Sequence, residues 1–320
     1  MIEATGDAMN AQNNDNFSNR PMSWKLAVMG GAYGNVPALQ ACIDDARSQG
    51  CQTMAFIGDA IGCCGHSAEI LALINRNFSL LVAGNHEQQA RLGQSTCGCG
   101  YESPEDEQAG CQAFDIALRG ISDDHRRWLL TWPSELLVKS PAGPVLLCHG
   151  SPERTNEFLY TSQFSQARWR RFLQEREITG FVCTHSGLPW VHRLGTDRFA
   201  VNCGVVGKPD HDGNTEVHYS ILEVSYFGEL KVSIRSVRYD EISWAEELRS
   251  DGVPEIFISP LETGVWTTGL SSLPESERLV HFGERHNELT IRTHHKFRSV
   301  PHATHDKCSG PQCLNGESPD

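Results

Sequence analysis

A chain of 320 residues with a formal net charge of −13 is long enough to bury a full core, as one large domain or two small ones. The acidic balance argues against a broad nucleic-acid surface, which draws on clustered Lys and Arg. No stretch approaches the ~20 apolar residues of a membrane span, and residues 1–23, rich in Asn, Asp and Ser, have no apolar secretory core. A cytoplasmic protein with a disordered leader over 1–23 and no membrane contact is expected. The 12 cysteines are scattered and several fall inside apolar runs. They read mostly as small buried hydrophobes, with no disulfide framework.

From residue 24 onward the chain alternates. Residues 25–29 form a short apolar run, and Val36–Ser48 has helical spacing in Val36, Leu39, Ala41, Cys42 and Ala46. Residues 53–57 are strand-like, 67–75 helical, 79–83 strand-like again, and 86–92 begin another helix. Strands alternating with helices predict βαβ units and a sheet with parallel neighbours. Residues 93–122 interrupt this pattern with Gly93, Cys97-Gly98-Cys99-Gly100 and an acidic run at 102–107, and read as a cap-like excursion. A helix is expected over 123–130, with Ser122 or Asp123 near its N-cap.

The second half is richer in strands, at 135–139, 144–148, 178–183, 191–194, 199–201, 218–224 and 230–237, with one helix over 162–174. Strand runs joined by short turns predict a second sheet packed on the first. Residues 242–250 read as a covering helix, and 274–320 as a polar, mobile tail. The expected fold class is α/β, with two mixed β-sheets packed as a sandwich and helices on the outer faces, in a domain spanning 24–273.

Four polar signatures each end an apolar run read as a strand: Gly58-Asp59, Gly84-Asn85-His86-Glu87, His149-Gly150 and Thr184-His185-Ser186. Strands of one sheet bring their carboxyl ends together, so Asp59, Asn85, His149 and His185 can converge. A carboxylate, an amide oxygen and two imidazoles are hard or borderline metal ligands. His86, next to one of them, is placed to hold or donate a proton. The plainer alternative is that these residues cap helices and turns.

The order of signatures resembles the calcineurin-like metallophosphoesterases, especially their small bacterial and archaeal phosphodiesterase branch. That family carries D-x-H-G-N, G-D, G-N-H-[DE], H-G and G-H-T-H in this order. Here one reads Gly31-Ala32-Tyr33-Gly34-Asn35, then Gly58-Asp59, Gly84-Asn85-His86-Glu87, His149-Gly150 and Thr184-His185-Ser186-Gly187. Asn202-Cys203-Gly204 followed by Gly207-Lys208-Pro209 is similar to the family's N-P-G-S-x-G-x-P segment. The resemblance spans 24–270 and implies a four-layer fold with two adjacent metals. It assigns the second metal to Asp59, Asn85, His149 and His185, all present, and an acid to His86. The first-metal positions are Gly31, Tyr33 and Gly187, so only the shared Asp59 remains there.

The resemblance therefore implies a phosphatase or phosphodiesterase that uses a metal-bound hydroxide on a small phosphorylated substrate or a phosphoprotein. One divalent Mn, Fe or Zn per core domain is expected. Loss of the second ion removes charge stabilisation and aim, and each ~1.4 kcal/mol of barrier is tenfold in rate. The alternative is a pseudoenzyme that keeps the fold to bind a phosphorylated ligand or a partner protein. Tyr33 could ligate only as a phenolate, against a free pKa of ~10.

Other features stay open. The glycine-rich turn at 30–35 could cradle phosphate on backbone N–H groups without hydrolysis, although it does not fit the dinucleotide fingerprint. Cys63, Cys64 and His66 could stand at the site rim as soft ligands or reactive thiols, or form a small-residue loop. Cys97, Cys99 and Cys111 could hold zinc but lack a clear fourth partner. His294, His295, His302, His305, Cys308 and Cys313 could bind metal or form a solvated tail, and the acidic run at 105–107 reads as a solvated face.

Overall fold

Alternate side chains of the first strand enter two different cores, and this alternation sets the layers. The computed structural model describes residues 24–278 and 288–292. In chain order the elements are β1 (Trp24–Met29), α1 (Val36–Ser48), β2 (Thr53–Phe56), α2 (Ser67–Asn77), β3 (Leu80–Leu81) and α3 (Asn85–Arg91). Then come α4 (Pro104–Leu118), α5 (Asp123–Leu129), β4 (Glu135–Ser140), β5 (Gly143–Cys148), α6 (Gln166–Glu175) and β6 (Gly180–Cys183). The rest are β7 (Trp190–Arg193), β8 (Phe199–Asn202), β9 (Val217–Val224), β10 (Glu229–Val237), α7 (Glu241–Ser250), α8 (Glu255–Thr263) and β11 (Glu288–Arg292).

One sheet runs β11-β10-β9-β1-β2-β3 and the other β4-β5-β6-β8-β7. The pairs β1–β2, β2–β3, β5–β6 and β6–β8 are parallel, and β11–β10, β10–β9, β9–β1, β4–β5 and β7–β8 are antiparallel. Leu26 and Val28 of β1 meet Val145, Leu147, Val182 and Val201 of the other sheet. Ala27 and Met29, one residue out of phase, meet Leu39 and Ile43 of α1 and Ile70 and Ile74 of α2. On the far side, Phe181 and Cys183 of β6 pack on Trp169 and Leu173 of α6. Each buried Leu, Ile, Val, Met or Phe among these is worth about 1.5–3 kcal/mol relative to exposure. The result is helix, sheet, sheet, helix, as expected from the strand runs.

The differences from expectation have local causes. The excursion holds a full helix, α4, capped by Ser103, whose side chain accepts from the Asp106 N–H, with Pro104 in its first turn. Its apolar stripe is thin, since only Phe114 and Ala117 are buried, so periodicity hid it. Helix α8 was masked for a different reason, the helix-breaking Pro260 inside it. Residues 161–163 form a separate 3-10 turn, and α6 begins at Gln166. Within the segment read as a mobile tail, Glu288–Arg292 pairs with β10 as an edge strand. The leader at 1–23 and the His- and Cys-bearing stretch at 294–313 lie outside the described residues. Among the described residues no helix is long and apolar enough to cross a membrane.

Helix α1 is tied to the sheet through the Asp45 carboxylate. Asp45 accepts from the Tyr219 hydroxyl at 2.7 Å and from Arg235 Nε and Nη2 at 3.1 and 3.0 Å. Partial burial pushes this carboxyl up, but the Arg235 and Tyr219 hydrogen bonds leave it below its ordinary value. A lowered carboxyl stabilises the fold above its unfolded pKa of ~3.9, and that contribution is lost as pH falls through the folded value. Asp45→Asn is expected to lower stability at pH ~7 by about 1 kcal/mol, a figure reduced for the half-exposed Arg235. Urea titrations of wild type and variant should show this gap at neutral pH and show it closing in acid.

Candidate metal centre

The carboxyl ends of β2, β3, β5 and β6 face one cleft. Just past β2, Asp59 sits at φ 58° and places Oδ2 3.2 Å from His149 Nε2. That nitrogen is also 3.2 Å from Nδ1 of His185. The other nitrogen of His149, Nδ1, donates to the Ile57 carbonyl at 2.7 Å, so Nε2 is the atom left to ligate once the ring is neutral. Asn85 opens α3 and donates through Nδ2 to the Cys97 carbonyl at 2.9 Å. Its Oδ1 is buried without a hydrogen-bond partner, an arrangement that ordinarily costs about 1–3 kcal/mol.

Charge follows the same geometry. Burial works against charged His149, yet Asp59 beside it raises the imidazole above its ordinary value. Burial, then the charge of His149, pushes His185 down to about 3. Burial would raise Asp59, but His149 holds it well below the usual carboxylate range. The ligand atoms of Asp59, His149 and His185 lie within 4.8 Å of one another. With the orphaned amide oxygen of Asn85 they fit a divalent ion that takes mixed nitrogen and oxygen ligands.

The missing positions are closed by packing. Gly31 has φ 59°, and a Cβ there would stand 2.3 Å from Val205 Cγ1. Gly187 has φ 77°, and a Cβ there would stand 2.9 Å from the Trp266 ring. Tyr33 takes a left-handed φ of 52°. Burial, then the charge of Asp59, raises its phenol well above the ordinary value, which disfavours a phenolate. Apolar side chains thus stand where ligands at the two glycines that the resemblance assigns to a first ion would need room.

A family model described as calcineurin-like phosphoesterase matches residues 6–225. The chain belongs to that family. It is 25% identical to MJ0912, an uncharacterized protein of Methanocaldococcus jannaschii, over 72% of this chain and 94% of that protein. The hypothetical protein PH1004 of Pyrococcus horikoshii has a similar structure, with TM-score 0.61 and 17% identity over 76% of this chain and 99% of that one. A metallophosphoesterase of Sphaerobacter thermophilus gives TM-score 0.58 and 18% identity over 76% and 100%. At these identities the two structures establish a shared fold.

Within this calcineurin-like phosphoesterase the remaining predicted residues separate. Cys63 lines the central cavity with Tyr33, Asp59 and His86. Cys64 is buried against Trp244, Leu248 and Ile258. His66 turns away to Glu69 and Asp251, clamping α2 to the end of α7. Cys97 and Cys99 lie against His86 and are joined by a disulfide, a local link that the scattered cysteine pattern did not suggest. Cys111 is apart, with its thiol on Glu107. The acidic run is only partly solvated, since Asp106 accepts from the backbone N–H groups of Gly269 and Ser271.

Three residues were missed. Glu87 accepts from the backbone N–H groups of Asp59, Ala60 and Gly84 at 2.7, 2.8 and 2.8 Å, and its place in the G-N-H-E signature was the available signal. Lys208 and Trp266 line the cavity, with Nζ 3.6 Å from the ring centroid. Burial draws the Lys208 ammonium down to about 8. Lys208 stood inside a quoted motif, whereas nothing local marked Trp266.

Restoring a ligand at Gly31 is therefore expected to fail. Gly31→Asp combines left-handed strain of about 1–2 kcal/mol with a clash worth about 1–3 kcal/mol. Thermal melts and metal analysis should show a lower Tm and no added metal, while a gain in metal at unchanged Tm would refute the packing account.

Proposed function

We propose that this calcineurin-like phosphoesterase hydrolyses a phosphomonoester or phosphodiester. One divalent ion of the Mn, Fe or Zn class would be held by Asp59, Asn85, His149 and His185. The observation that carries this reading is the Asp59, His149 and His185 cluster, with ligand atoms within 4.8 Å of one another, together with the buried, unpartnered Oδ1 of Asn85, the residue before His86, whose backbone N–H donates to Asp59. When bound, such an ion supplies Lewis-acid polarisation of a phosphoryl oxygen and acidifies water.

The chain's own groups have complementary roles. Lys208 forms no salt bridge among the described residues, and its ammonium faces the same cavity as Asp59 and His86. It can take a phosphoryl oxygen and supply positive charge on the side where Val205 and Trp266 exclude a second ion. His86 lines that cavity too. Its Nδ1 donates to the Ile61 carbonyl at 2.7 Å, which orients Nε2 to deliver a proton to the leaving oxygen. Tyr101, Phe257 and Trp266 give the remaining wall an aromatic character suited to an aryl or base-bearing ester. A phosphoprotein would have to present its phosphoryl group through this walled opening, so a small phosphorylated substrate is the better fit.

A second reading, a pseudoenzyme that binds a phosphorylated ligand, is favoured by the filled first-metal positions. Metal analysis with aryl-phosphate and bis-aryl-phosphate hydrolysis in Mn²⁺ separates the two. His149→Ala is expected to lose one metal per chain together with turnover. Lys208→Met is expected to keep the metal and lose roughly 100-fold in kcat/KM, about 2.7 kcal/mol. Metal without turnover in wild type supports the pseudoenzyme. Equal metal in wild type and His149→Ala overturns the ligand set.

A further inference from the structure

We propose that His86, Cys97 and Cys99 form a second site, for a soft divalent ion of the zinc class, when the two cysteines are thiols. It uses none of the residues assigned to the core metal. All three side chains are buried, and their ligand atoms lie within 4.8 Å of one another. His86 Nε2 is 3.4 Å from Cys99 Sγ. A tetrahedral zinc ion with sulfur at ~2.3 Å and nitrogen at ~2.1 Å sets such neighbours about 3.6 Å apart.

The surroundings are built for ligation. The Ile61 carbonyl takes the Nδ1 proton of His86 at 2.7 Å, which leaves the lone pair on Nε2, as carbonyl partners of zinc-bound histidines do. Two N–H groups aim at the sulfurs: Asn85 Nδ2 is 3.4 Å from Cys99 Sγ, and the Cys99 backbone N–H is 3.2 Å from Cys97 Sγ. Such donors stabilise thiolates. Gly98, at φ 65°, turns the C-x-C loop so that both sulfurs face α3; a Cβ there would stand 2.7 Å from Gln89 Nε2. Two thiolates favour zinc over manganese or magnesium, whereas the core set contains no sulfur. Three protein ligands leave a fourth position toward the cavity, which His86 and Cys99 line.

Cys97 and Cys99 are disulfide-bonded in the structure, so the site opens on reduction. A phosphine breaks the S–S bond and becomes phosphine oxide, with water supplying its oxygen and the two thiol protons. Zinc then displaces both protons. The bound ion takes the Nε2 lone pair, so zinc occupancy and proton delivery by His86 exclude each other. The disulfide form frees the imidazole.

Cobalt titration of the full chain, reduced with a phosphine, tests this. The wild type should show a thiolate-to-cobalt charge-transfer band in the near ultraviolet. The band should vanish in Cys97→Ser, in Cys99→Ser and after diamide oxidation, and persist in His149→Ala. Loss of the core metal in His149→Ala with the band intact separates this site from the core centre. No band in wild type, or a band unchanged in both serine variants, overturns the proposal. Zinc added to the reduced, manganese-loaded chain should lower turnover at least tenfold, and diamide should restore it. Turnover unaffected by zinc while the band is present overturns the exclusion at His86.

Discussion

The Glu87 carboxylate holds the centre together. It ties the turn after β2 to the turn after β3 by accepting three buried backbone N–H groups. Hydrogen bonds to a charged acceptor are worth about 1.5–3 kcal/mol each, and losing the acceptor would leave the donors buried and unpaired. A two-residue strand such as β3 has little ladder of its own to fix where Asn85 emerges. The carboxylate supplies that constraint and fixes the turns that carry Asp59 and Asn85 against one another. The cost is electrostatic. Burial, then the nearby Asp59 charge, raises Glu87 above its ordinary value, so two carboxylates press on one another inside the protein. The nearby His86 and His149 imidazoles offset part of this, and a divalent cation would relieve it more fully.

The layered fold was legible because its strands are short, apolar and bounded by glycine or polar residues. The division of Leu26 and Val28 from Ala27 and Met29 between two cores appears only in the structure, because residues 26–29 are apolar throughout. The turn residues Asp59, Asn85, His149 and His185 were legible, since each stands where an apolar run stops. Helix α4 was not, because a helix lying over a cavity buries little, and Phe114 with Ala117 makes too thin a stripe for periodicity. Residues acting over long range were equally hidden. Trp266 fills the space beside Gly187 from 79 positions away along the chain, by the numbers alone. The pairing of Cys97 and Cys99 with His86 needed the fold to show that the excursion returns to α3.

Gly31 and Gly187 change meaning once the structure is in view. As bare sequence they are lost ligands, a subtraction from a two-metal site. With Val205 and Trp266 packed into the vacated volume, they are the small residues that a dry, close-packed wall requires. A site that had merely lost its ligands would keep a polar hollow, and water would fill it. Here the wall is apolar, and the Lys208 ammonium rests on the face of its tryptophan.

That arrangement alters the electrostatics in a definite way. A divalent ion presents two charges and can be removed, whereas an ammonium on a tryptophan face presents one and is tethered to the chain. At a given distance its attraction for a phosphoryl oxygen is half as large by Coulomb's law. Burial, which draws this ammonium down to about 8, also weakens the screening of its attraction by water. On the proposed reading the chain exchanges strength for permanence on one side of the phosphoryl group and keeps a metal on the other. Proton delivery then becomes the step with least redundancy, and it falls to His86, the one cavity imidazole whose Nε2 faces a cysteine pair.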